Sequence, residues 1–369
     1  MKILLFISRL IAGLVFIFSG VVKAIDPLGS NYKFQDYFIA FNMDFLLTLS
    51  LPLAIILCSA EFVAGFSVLF NIRQKAGIWI LMLLMLIFTP LTFILALTNP
   101  VTDCGCFGDL IHLTNWQTFI KNIILLVPVV FLFTNRNKVR SKHGIIREWT
   151  IVSAIIIIFV AFILYNLRHL PIIDLLPYKT GTYIPDKMKI PEGMTSDKYE
   201  TTFIYEKNGQ QKEFSLENYP ADDTTWRFVD QRSMLVSKGY TPPIHDFVLT
   251  TLNNEDITQN VLTSRGYIFL MICNKLGEAG KEKLDSGFGL GSRLLSSGTG
   301  FYVLTASGAE EIKNYGSSLT FCSVDEITLK TMVRSNPGYM LLKEGTIIGK
   351  WSWANVPSVE ELGKVYLNK

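Results

Sequence analysis

The chain has 369 residues, 18% of them charged, and a formal net charge of +3. That length predicts two or three domains, the small charge gives no ground for a nucleic-acid partner, and five scattered cysteines do not make a disulfide scaffold. Apolar residues crowd the first 170 positions and most of the Glu, Asp, Lys, Asn and Gly follow, a distribution that excludes a wholly soluble or a wholly embedded protein.

Five apolar stretches, at 3–22, 46–70, 77–98, 118–134 and 149–167, are each long enough to cross a bilayer, which takes about 20 helical residues. Trp116 and Phe119 extend the fourth as interface anchors. The first reads as a span rather than a cleaved leader, because Arg9 interrupts it, its apolar run is long and no small-x-small site follows. Lys2, then Arg73 and Lys75, then Arg136, Lys138, Arg140, Lys142 and Arg147 fall on one side of five alternating spans. The opposite loops hold only Lys23 and Lys33, and 99–117 has no Lys or Arg. Positive charge marks the cytoplasmic side. The sequence thus predicts a multi-pass protein of a bacterial inner membrane, with the 99–117 loop and the soluble half in the oxidising periplasm.

Two ionisable residues fall inside the spans, Arg9 about two turns and Glu61 about two to three turns from the cytoplasmic side. Charge in hydrocarbon is costly, so such residues pair or serve function. Similar depth predicts an Arg9–Glu61 pair; the alternative is that Arg9 snorkels to the interface. Cys58, one turn before Glu61, reads as packing.

The stretch Asp103-Cys104-Gly105-Cys106-Phe107-Gly108-Asp109 carries the clearest chemistry. A disulfide needs Cα atoms within about 4.4–6.8 Å, which residues two apart in a turn can meet, and Gly105 eases tight curvature. So short a ring gains little as a staple, since loop entropy grows with loop length, whereas strained, exposed disulfides are the exchange-competent ones. A structural turn and a metal site stay open as alternatives, but two thiolates with only His112 nearby leave a tetrahedral site incomplete.

Residues 1–134 resemble the DoxX/MauE group of redox-associated membrane proteins. The resemblance rests on Arg9 and Gly13, on Phe18-Ser19-Gly20 and Lys23 leading to Asp26-Pro27, on Glu61 with Gly65, and most specifically on Asp103 through Gly108. It implies a four-helix membrane domain and a part in maturing disulfide-rich periplasmic proteins. The architecture is also similar to vitamin K epoxide reductase, which passes electrons between thiols and a quinone; its cysteine spacing differs, so a quinone cofactor here is analogy alone.

Beyond the fifth span, Pro171, Pro177, Gly181, Pro185 and Pro191 predict a linker, and 200–240 holds short strand-like runs with a turn at Asn208-Gly209. From 242, strands are expected at Tyr267–Cys273, Phe301–Thr305, Leu319–Cys322, Gly338–Lys343 and Thr346–Trp351, with helical stretches near 275–297, 309–315 and 325–334. This order, the lead-in Pro243 to Leu249 and an expected cis bond at Asn336-Pro337 resemble a thioredoxin-like domain of the TlpA or peroxiredoxin-like branch. Its catalytic pair would follow the strand ending at Cys273, where the chain instead reads Asn274-Lys275-Leu276-Gly277 with no second thiol. Cys273 and Cys322 therefore read as buried packing, and the domain as a binding or scaffold module.

The expected fold class is a membrane α-helical bundle of four helices plus a fifth, followed by a soluble α/β thioredoxin-like domain. Its parts are a membrane domain (1–134), a basic cytoplasmic loop and fifth span (135–170), a periplasmic linker and extension (171–241) and a degenerate thioredoxin-like domain (242–369). The leading expectation is thiol–disulfide exchange through Cys104 and Cys106 with a periplasmic thiol protein or a thioredoxin-like partner. The alternatives are a non-catalytic assembly or scaffold subunit and a small-molecule carrier, the last prompted by the intramembrane Arg9 and Glu61. Apart from the quinone analogy no cofactor is expected, and no metal; bilayer lipid surrounds the spans.

Overall fold

A computed structural model describes residues 1–101, 104–138, 144–207, 209–220, 223–237, 239–315 and 318–367. Asp103 of the cysteine motif, Arg140 and Lys142 of the basic loop and Asn208 of the expected turn lie outside the described residues. The first half runs α1 (Lys2–Ile25), α2 (Pro27–Ala40), α3 (Ser50–Phe70), α4 (Gln74–Thr98), α5 (Asn115–Thr134) and α6 (Ile145–Arg168). All but α2 are long and apolar enough to cross a membrane, α3 together with the short 3-10 helix, Asp44–Leu49, before it. The chain is a multi-pass membrane protein whose five spans fall where hydropathy puts them.

The core of the bundle is built by α1, α3, α4 and α5 through Ala12, Phe16, Ala64, Val68, Ile78, Leu81, Met85, Leu125 and Val129. Helix α6 stays outside that cluster. It packs on the flank through Phe159 and Ile163 against Ala24 and Cys58, with Phe159 stacked on Phe62 at 4.0 Å. Small residues set the approach of α1 to α3. A Cβ on Gly65 would lie 2.8 Å from both the Gly13 oxygen and the Ile17 nitrogen, so the two backbones meet with no side chain between them, as small-residue membrane interfaces allow. Gly65→Val is expected to part the helices at a cost of about 1–3 kcal/mol, the usual penalty of overpacking. The check is a lower folded yield from membranes and a lower melting temperature in detergent.

Helix α2 escapes a reading based on hydropathy. Its polar sequence PLGSNYKFQDYFIA forms a helix because Pro27 sits in its first turn and Asp26 caps it, accepting from the Gly29 N–H at 2.8 Å. It lies on the side of the bundle that carries the 104–114 loop and the soluble half, and Tyr37 reaches that loop.

After α6 comes a short helix, α7 (Ile184–Met188), and then a three-stranded antiparallel sheet of β1 (Lys198–Lys207), β2 (Gln210–Ser215) and β3 (Arg227–Ser237), in the order β2-β1-β3. The expected linker is partly ordered. Gly181 donates to the Ile347 oxygen and Ile347 to the Thr182 oxygen, extending a sheet edge, and Tyr178 and Ile184 are buried in the core.

The C-terminal domain contains β4 (Thr250–Thr251), α8 (Thr258–Thr263), β5 (Tyr267–Cys273), α9 (Leu276–Ala279), α10 (Lys281–Ser296), β6 (Gly300–Thr305), α11 (Ala309–Lys313), β7 (Thr320–Ser323), α12 (Glu326–Met332), β8 (Gly338–Lys343), β9 (Thr346–Ser352) and α13 (Val359–Leu362). The sheet order is β4-β7-β6-β5-β8-β9, with β5, β6 and β7 parallel and β8 antiparallel to both β5 and β9. Two β-α-β crossovers closed by an antiparallel hairpin make a thioredoxin-like arrangement, and the Asn336–Pro337 bond is cis. The central strand YIFLMIC is apolar throughout because both of its faces are covered. Leu284, Leu290 and Leu294 of α10 lie on one face, and Leu329 and Met332 of α12 with Phe247 and Leu249 on the other.

Candidate functional site

The turn from Cys104 to Gly108 closes through a 3.1 Å bond from the Gly108 N–H to the Gly105 oxygen. Gly105 has φ +63, a left-handed conformation that costs a side-chain-bearing residue energy. Both arms of the turn are held by side chains of the bundle. The Tyr37 hydroxyl donates to the Cys104 oxygen at 2.8 Å, and the Ser19 hydroxyl lies 2.8 Å from the Cys106 oxygen. Phe107 packs on Phe18 at 5.4 Å, and the Lys121 ammonium sits over its ring at 4.7 Å.

The result is a reduced pair with its two sulfurs 3.1 Å apart, in hydrogen-bond contact. One proton between two thiols splits their acidity. Donating to Cys106, together with burial, raises the Cys104 thiol well above the usual range. Accepting that bond lowers Cys106 to about 6, with Lys121 and Lys23 adding positive charge and burial opposing. With both cations beside it, Cys106 is thus the more acidic thiol of the pair.

Beneath the turn lies a cavity of about 110 Å³. Its walls are mostly apolar, with Phe16, Leu57, Phe88 and Leu125 among them, and its polar lining includes Cys104, Cys106, Lys121 and a buried trio. In that trio the Lys23 ammonium donates to both Glu61 carboxylate oxygens, at 2.7 and 2.8 Å, and to the Ser19 hydroxyl at 3.1 Å. Ser19 lies 2.9 Å from Glu61. A hydrogen-bonded chain therefore runs from the intramembrane ion pair through Ser19 to the backbone of Cys106.

The expected Arg9–Glu61 pair does not form. Gly13 lies against Gly65, and Gly20 against Phe62, so in this antiparallel register Arg9 is level with the end of α3. There its guanidinium donates to the Val68 and Leu69 oxygens, each at 2.9 Å. The last helical turn leaves carbonyls without partners and carries the negative end of the dipole, which suits a cation. Glu61 is about eight rises deeper, roughly 12 Å at 1.5 Å per residue. Its partner Lys23 was expected in a loop, but α1 continues to Ile25 and draws it into the bundle.

The remaining thiols are packing. Cys58 is buried between α1 and α6. Cys273 is buried at the end of β5, where burial pushes its thiol up, and burial pushes Cys322 up to about 12. Neither a thiolate nor a second thiol stands at the thioredoxin-like position: the Asn274 side chain there donates to the Tyr32 hydroxyl of α2 at 3.2 Å. His112 lines a different cleft, with Asp109 and Arg334.

Residues 1–135 match the family model described as methylamine utilisation protein MauE. That match covers the membrane bundle and the whole cysteine turn, so the resemblance carried by the motif is borne out for the MauE family. Residues 199–238, the three-stranded sheet, match a model of a domain of unknown function. A stretch of 92 residues is 37% identical to "Protein TlpB" of Flavobacterium psychrophilum, covering 24% of this chain and 25% of that protein. The chain therefore spans about a quarter of that curated relative. Among solved structures, the solution structure of a candidate protein disulfide isomerase from Bacteroides thetaiotaomicron superposes with a TM-score of 0.27 at 13% identity, over 34% of this chain and 87% of that one.

Proposed function

We propose that this MauE-like protein is a membrane thiol–disulfide exchanger. Its working couple is Cys104–Cys106, and its partners are thiol proteins or a separate thioredoxin-like protein on the periplasmic side. The observation that carries this reading is the pair of sulfurs 3.1 Å apart above a cavity lined by the buried Lys23 and by Lys121. A structural staple needs neither a thiolate nor charge beside it.

In the reducing direction the Cys106 thiolate attacks one sulfur of a partner disulfide. A mixed disulfide forms, and the partner's other sulfur leaves as a thiolate and takes a proton. Cys104 then gives up its proton and attacks Cys106, the mixed disulfide breaks, and the partner leaves as a dithiol. Two electrons have moved to the partner, with one proton from Cys104 and one from solvent, and Cys104–Cys106 is a disulfide. The reverse sequence oxidises a partner dithiol, and a second thiol protein resets the couple. A nucleophile with a pKa near the ambient pH is well matched to such exchange.

The cavity chemistry also suits a flat quinone ring, with apolar walls and Lys121 in the lining as a donor to a ring oxygen; such a group, when bound, would supply a two-electron acceptor.

The test is the redox state of the pair in cells, read by stepwise alkylation and mass spectrometry. Exchange predicts that Cys104–Cys106 shifts between dithiol and disulfide under thiol or oxidant challenge, and that Cys104→Ser and Cys106→Ser each change the thiol status of partner proteins. A pair locked in one state, with partner thiols unchanged in both variants, rejects it in favour of a scaffold role.

A further inference from the structure

We infer that the thioredoxin-like domain, which lacks a thiol pair of its own, positions the membrane domain's cysteine turn, and that Arg334 is the positioning residue through which docking reaches the sulfurs. This inference rests on reading Cys104–Cys106 as a redox couple.

Arg334 stands in the loop between α12 and β8, three residues before Pro337, and is only 5% exposed. Its Nε donates to Asp26 Oδ2 at 2.7 Å and its Nη2 to Asp109 Oδ2 at 2.6 Å, while Nη1 is tied to the Lys330 carbonyl in the preceding helix α12. The two carboxylates come from different places in the membrane half. Asp26 joins α1 to α2 and uses its other oxygen to cap α2 at Gly29. Asp109 lies three residues after Cys106, immediately beyond the Gly105–Gly108 turn.

One guanidinium therefore fixes the outgoing arm of the cysteine turn and the start of α2. Helix α2 in turn holds the incoming arm, because Tyr37 bonds the Cys104 oxygen. The same helix docks on the soluble domain through Tyr32, which receives Asn274 on its hydroxyl and has Lys330 and Arg334 over its ring at 4.7 and 5.4 Å. Both arms of the turn are thus referred to one face of the soluble domain.

The electrostatics make the arrangement conditional on Arg334. Burial pushes the Asp26 carboxyl up, Arg334 pulls it down, and the neighbouring Asp109 charge pushes it up again. Without the cation, two carboxylates would face each other in a buried pocket, and Asp109 would swing towards solvent and drag the end of the turn with it. The sulfurs would then spend less time in contact, and their effective concentration towards each other would fall.

The experiment measures the equilibrium reduction potential of Cys104–Cys106 in the full-length protein in nanodiscs, against glutathione buffers, with the thiols counted by mass-shift alkylation. In Arg334→Met the disulfide is expected to be at least tenfold less favoured, a shift of about 30 mV in the less negative direction. Arg334→Lys keeps the charge but not the two-pronged fork and should fall between wild type and Arg334→Met. An unchanged potential in a folded Arg334→Met, checked by its near-ultraviolet circular dichroism, overturns the inference and leaves the redox reading standing. A wild-type pair that forms no disulfide at any potential overturns the redox reading itself. If Arg334→Met does not fold, Arg334→Lys and Asp109→Asn decide, and wild-type potentials in both reject the inference.

Discussion

Lys23→Met in the full-length chain is expected to cut the folded protein recovered from membranes severalfold, and Glu61→Leu to do the same, while the double variant recovers most of the loss. Lys23 and Glu61 are 7% and 4% exposed, and Lys23 makes two short bonds to Glu61 and a third to Ser19. Removing one member of a buried pair strands the other charge, at a cost of about 3–5 kcal/mol, whereas replacing both with apolar groups of similar volume is often neutral. The comparison needs folded yield after mild detergent extraction and a thermal unfolding curve for each single variant and the double. Losses that simply add would show that the two side chains act independently. If the double variant folds but its Cys106 thiol is less reactive, the pair also serves the cysteine turn electrostatically, since Lys23 is one of the two cations facing that sulfur.

The five spans were legible because hydropathy over about 20 residues is a strong and local signal. The strand–helix order of the soluble half was legible for a related reason: runs such as YIFLMIC and GYMLLK, bounded by polar turns, have few alternatives. The electrostatic partners were not legible. Whether Glu61 meets Arg9 or Lys23 depends on the antiparallel register of α1 and α3, which Gly13, Gly20 and Gly65 set by backbone contact. A shift of two turns along one helix exchanges the partners. Counting rises from the expected helix ends missed this, because α1 runs three residues past its expected end at 22 and carries Lys23 inside. Ser19 and Lys23 were in view within the family motif, and their spacing of four on a helix was the available signal that they share a face. Helix α2 was missed because it is interfacial and polar. Arg334, 308 residues from Asp26, is a contact between domains that no local pattern encodes.

The sharpest consequence of the cysteine geometry is a difference between two substitutions at one position. In Cys104→Ser the hydroxyl still donates to the Cys106 sulfur, so the cause of the lowered pKa survives. Cys106 should remain a thiolate above about pH 6. Its alkylation by iodoacetamide should rise through pH 6, level off above it, and drop about tenfold for each unit below. In Cys104→Ala the donor is gone and only Lys121 and Lys23 remain to oppose burial, so the midpoint should move up towards the ordinary thiol range of about 8.5. Near pH 7 the reaction should then be at least several times slower than in Cys104→Ser. The variants should differ in trapping as well. Cys104→Ser keeps the attacking thiolate but cannot resolve, so mixed disulfides with partner proteins accumulate on Cys106. Cys106→Ser leaves a thiol whose acidity was depressed by donating to Cys106 and by burial, and should trap far less. Equal pH profiles for Cys104→Ser and Cys104→Ala would mean that the hydrogen bond between the sulfurs does not set the acidity of Cys106. Stronger trapping by Cys106→Ser than by Cys104→Ser would reverse the assignment of attacking and resolving thiols.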